Sequence, residues 1–150
     1  MSNGSQNEAR IDLDRARRFI AIVWVVGGGL CFGLMIFQSI IGRFAGVTQE
    51  MWAWFTPTIV PTLSLIIGVL ASTASEDDTG RTVKQFFYHA SVGISLAYLI
   101  VLLLTMVLEP LAGAHNMAYF KFSNFWLSPM QGLVVAALGA LFNSRKKTDA

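Results

Sequence analysis

The feature that most restricts this chain is an apolar run from Phe19 to Ile41, interrupted only by Gln38, Ser39 and small residues and closed by Gly42 and Arg43. Wound as a helix at about 1.5 Å per residue it reaches about 34 Å, enough to cross the hydrocarbon core of a bilayer. It is too long for the core of a secretory signal, and no small-x-small cleavage site followed by a polar region comes after it. Arg17 and Arg18 ahead of Phe19 resemble the start of a twin-arginine signal, but such signals need a weaker apolar region. The run reads as an uncleaved membrane span.

Three further stretches follow. Phe55 to Thr73 carries Pro57 and Pro61, which membrane helices tolerate when neighbours or hydroxyls re-satisfy the freed carbonyls. Ahead of it, Thr48 is a candidate cap, and residues 49–54 form an interfacial lead-in with Trp52 and Trp54 at headgroup depth. Phe86 to Leu108 is nearly free of helix breakers and ends at Glu109 and Pro110. Trp126 to Phe142 reaches only about 25 Å and spans if upright or with local thinning. Between the second and third stretches, residues 74–85 form a polar turn in which Ser75 and Asp78 resemble a capping box. Residues 111–126, with His115, Tyr119, Phe120 and Phe122, suit an aromatic belt or a short surface helix.

Only 13% of residues are charged, against about a quarter in soluble domains. With 54% hydrophobic residues and a mean hydropathy of +0.56, the chain lacks the polar surface to coat a soluble globule. The expectation is an all-α integral membrane protein, a four-transmembrane-helix bundle making one domain of residues 1–150. Its spans are about 19–41, 55–73, 86–108 and 126–142, with 1–18 and 143–150 as tails.

Arg10, Arg15, Arg17 and Arg18 precede the first span, Arg81 and Lys84 lie between the second and third, and Arg145, Lys146 and Lys147 follow the fourth. Only Arg43 and Lys121 fall on the other side, so the positive-inside rule predicts that both termini are cytoplasmic. An even number of spans agrees, since three or five would put the two basic ends on opposite faces. The Asn3-Gly4-Ser5 sequon would then be cytoplasmic and unmodified.

Helices in lipid associate where small residues let backbones approach. Gly29 and Gly33 in the first span, and Gly132, Ala136 and Ala140 in the fourth, have that spacing; they serve either packing within the bundle, the plainer reading, or assembly of several copies. Thr58, Pro61, Ser64, Gly68 and Ser72 give the second span a small and polar stripe, a candidate polar path or a seam for its neighbours. Glu109, abutting the outer end of the third span, is the candidate for ion or proton coupling, with a solvated boundary residue as the bland alternative.

No catalytic constellation, metal-ligand set or nucleotide loop occurs, and Cys31 sits alone inside the first span, so neither an enzyme nor a cofactor is expected. A net charge of +2 with no aromatic interleaving points away from nucleic acid. The first span lacks the embedded carboxylate on which small four-span multidrug exporters depend, and no repeat supports an inverted transporter. The leading expectation is a small tetraspan interaction or assembly subunit of a membrane, partnering the lipid bilayer, further copies or another protein through its tails and the 74–85 segment. The alternatives are an oligomeric channel or permeabilising effector of a bacterial stress or defence system, and a small ion- or proton-coupled transporter. A bacterial inner membrane is the expected location.

Overall fold

The computed structural model describes residues 10–73, 82–109 and 117–142. A short strand β1 (Arg10–Asp12) leads into α1 (Leu13–Ile40), which is followed by α2 (Thr48–Thr73); β2 (Thr82–Lys84) leads into α3 (Gln85–Leu108), and α4 (Met117–Phe142) completes the order. All four helices are long and apolar enough to cross a membrane. α1 packs on α2 and α3, and α4 packs on the same two, so the ring order is α1, α2, α4, α3.

Each helix buries one stripe and leaves many apolar side chains exposed on its outer face. On α1 the buried positions include Ile20, Trp24, Cys31 and Met35, while Ile22, Val25, Val26, Leu30 and Phe37 are exposed. Such apolar outer surfaces accompany the length and composition that would let these helices cross a membrane. The centre is aromatic: Trp24, Phe55, Tyr98 and Phe120 are fully buried, and Trp24 stacks on Tyr98 with ring centroids 5.9 Å apart.

Three helices begin earlier than their apolar stretches. α1 starts at Leu13 because Asp12 caps it, its carboxylate accepting from the Asp14 N–H at 3.0 Å. α2 takes in the interfacial lead-in, and the Thr48 hydroxyl donates back to the Phe44 carbonyl at 2.8 Å instead of accepting as a cap. α4 starts at Met117, so residues 117–126 of the segment read as an aromatic belt or a short surface helix form the first turns of the last long helix. Phe120, Ser123 and Leu127 recur at helical spacing on its buried side, with Phe120 4.7 Å from Trp54 between ring centroids. The 26 residues of α4 reach about 39 Å, longer than the apolar stretch alone.

The small sheet has no counterpart in the sequence reading. β1 and β2 pair antiparallel, Arg10 opposite Lys84 and Asp12 opposite Thr82. The Ser75–Asp78 capping box, His115, residues 1–9 of the first tail and the whole 143–150 tail lie outside the described residues, while residues 10–18 form β1 and the start of α1.

Candidate functional site

At the end of the bundle where α1 meets α2, local sequence places a cation. Gly42 takes φ +73°, its N–H donates to the Ser39 carbonyl at 3.2 Å, and the Arg43 N–H donates to the Gln38 carbonyl at 3.1 Å. This is a Schellman closure, with glycine where only a left-handed residue ends the helix without strain. It turns Arg43 toward the end of α3, where its guanidinium donates to Glu109 at 3.0 Å. Glu109 is 2% exposed and the Arg43 side chain 22%. The pair borders a cavity of about 270 Å³ walled also by Phe44, Met51, Met117 and Phe120.

The opposite end carries a second buried cation. Arg17 is 4% exposed. Its guanidinium donates to the Phe142 carbonyl at 3.0 Å and lies 6.0 Å from the Phe142 ring centroid. A cation on the last carbonyls of α4 is favoured by the helix dipole. One arginine thus joins the first helix to the last.

Between these ends the interior is lined with neutral polar groups. Tyr98 donates to the Thr58 carbonyl, Thr105 donates to the Val101 carbonyl at 2.8 Å and Ser91 to the Ala137 carbonyl at 3.4 Å. Thr62 Oγ1, Ser95 Oγ and Trp24 Nε1 are buried without a partner among the described residues.

The candidate path on α2 splits between two surfaces. Thr58 is buried, Pro61, Ser64 and Gly68 are exposed on the outside of the bundle, and the side chain of Ser72 lies outside the described set. The small-residue positions do not meet one another inside the chain. Gly29, Gly33, Gly132, Ala136 and Ala140 are all exposed, and a Cβ added at Gly29, Gly33 or Gly132 would meet nothing within 4 Å. The glycines used for internal packing are their neighbours: a Cβ at Gly27 would lie 2.7 Å from Leu99, and one at Gly28 3.3 Å from Leu63.

Three interhelical contacts escape the sequence reading: Arg17 with α4, Arg43 with Glu109, and Gln131, whose amide donates to the Pro57 carbonyl at 2.9 Å. The last had a signal, since Pro61 must free that carbonyl. The two arginines look in sequence like ordinary orientation charges, and nothing local announces their distant partners. Comparison with protein-family models, with curated proteins and with solved structures finds no match.

Proposed function

We propose that this chain is a membrane assembly subunit, a tetraspan bundle that packs against further copies of itself through the small-residue faces of α1 and α4. The observation that carries the reading is the outward placement of Gly29, Gly33, Gly132, Ala136 and Ala140. Apolar side chains gain little by leaving lipid for one another, so close backbone approach at small residues selects association faces in a bilayer. Gly29, Gly33 and Gly132 have open space around them, while Gly27 and Gly28 supply close approaches within the fold.

The same reading puts both termini in the cytoplasm and the chain in a bacterial inner membrane, as a structural component with no catalytic role. Its support is the bias of nine basic residues to one side. Arg10, Lys84, Arg17 and Phe142 also gather at one end of the bundle, away from Arg43 and Glu109.

A second reading, an oligomeric channel or permeabilising effector, has one observation of its own. Pro61, Ser64 and Gly68 face outward, where in a lone bundle they meet acyl chains and between copies they would line a shared path. The transporter reading through Glu109 has less support, since that carboxylate is occupied by Arg43.

The test is the mass of the assembly in lipid nanodiscs. A defined oligomer that falls to monomer in the Gly33→Leu, Ala136→Leu variant supports the proposal; a wild-type monomer overturns it. If a ring of three or more copies forms, ion flux in liposomes decides between scaffold and channel.

A further inference from the structure

Along the outside of the bundle, α1 and α3 leave an open apolar groove of about 380 Å³, with Gly27 in its floor and Ile22, Val26, Leu30, Leu96 and Ile100 among its walls. Ile22 also borders a second concavity, about 480 Å³, at the start of α1. Among the described residues its other walls are Phe19, Asp12, Asp14, Arg15 and Arg18. Apolar trough and charged mouth are therefore one continuous surface.

Its dimensions match one lipid leaflet. From Ile22 to Cys31 the groove follows α1 for about 14 Å, and half of a hydrocarbon core is about 15 Å. Arg18 lies one turn before Ile22, at the depth where an apolar chain gives way to its headgroup. At Gly27 the two helices pack closely, since an added Cβ would come within 2.7 Å of Leu99.

The mouth carries both signs of charge. Arg15 and Arg18 make no ion pair within the described residues, and Asp12 keeps one carboxylate oxygen on the Asp14 N–H as a helix cap. Two guanidiniums suit a phosphate, and two carboxylates beside them suit a group that donates N–H bonds. A purely anionic headgroup would face the carboxylates, and a quaternary ammonium has no N–H to offer them.

We propose that this surface is a phospholipid site: one acyl chain lies in the α1–α3 groove, and a headgroup bearing a phosphate and a primary ammonium is held between Arg15, Arg18, Asp12 and Asp14. The site is independent of the assembly reading, since Gly29 and Gly33 are not among its walls.

Native mass spectrometry of the full chain, released from micelles holding equal amounts of phosphatidylethanolamine, phosphatidylglycerol and phosphatidylcholine, tests it. The expected result is selective retention of phosphatidylethanolamine, reduced about tenfold by Arg15→Gln with Arg18→Gln through loss of charge-assisted hydrogen bonds. Ile100→Trp, at a 55% exposed position on the groove wall, should lower retention with the charged mouth intact. Asp12→Asn with Asp14→Asn keeps a capping residue and should move the preference to phosphatidylglycerol. Circular dichroism verifies that each variant remains helical. Equal retention of the three lipids, wild-type preference for phosphatidylglycerol, or no lipid retained would each overturn the proposal.

Discussion

Gln131 on α4 donates its side-chain amide to the carbonyl of Pro57 on α2, 2.9 Å away and 74 positions earlier in the chain. That carbonyl is free because Pro61, four residues on, has no N–H to return to it. In hydrocarbon a carbonyl without a donor is costly, and no water is at hand to relieve it. One proline therefore creates the acceptor that joins α2 to α4.

Replacing Gln131 by Leu should cost about 1 kcal/mol of bundle stability, in the range of interhelical hydrogen bonds in membranes. In a Pro61→Ala background, where residue 61 can donate to Pro57 itself, the cost should vanish. A double-mutant cycle read by unfolding in mixed micelles measures this coupling; equal costs in both backgrounds would contradict the assignment.

The Arg43–Glu109 pair is asymmetric, and its two single variants should differ. Arg43→Met strands a carboxylate that is 2% exposed, whereas Glu109→Gln leaves a guanidinium already 22% exposed and able to reach water. The first should cost about 3 kcal/mol and the second about 1 kcal/mol, since breaking a buried pair leaves its cost with the more buried partner. Thermal unfolding of the two variants at one pH gives the order.

Adjacent glycines on α1 should respond in opposite ways. Gly28→Ile forces side-chain bulk against Ile59 and Leu63 and should destabilise the bundle by about 1–3 kcal/mol through overpacking. Gly29→Ile enters open space, so the fold should stand while the oligomer mass in nanodiscs falls.

Sidedness is accessible to single-cysteine labelling in a Cys31→Ser background. Ala45→Cys, at an exposed position in the α1–α2 turn, should react with a membrane-impermeant maleimide on intact cells. Arg15→Cys should react only after permeabilisation; the reverse pattern would place the termini outside.

Much of the architecture was legible in the chain itself. The four apolar stretches are each long enough to cross a bilayer, and Gly42 stops α1 where a left-handed residue is needed, so helix number and the first turn follow from local sequence. Helix starts were less legible. The first turns of α2 and α4 mix aromatic and polar residues at the interface, which dilutes the apolar signal although the backbone stays helical.

What only the tertiary structure decided is which face of each helix turns inward. Span helices are apolar on every side, so periodicity says little about burial, and Gly27 rather than Gly29 meets α3 only because of how α1 is rotated. The same holds for charge. Composition placed Arg17, Arg43 and Glu109 near helix ends, but their partners lie 125 and 66 positions away, a separation that only the ring order of the helices closes.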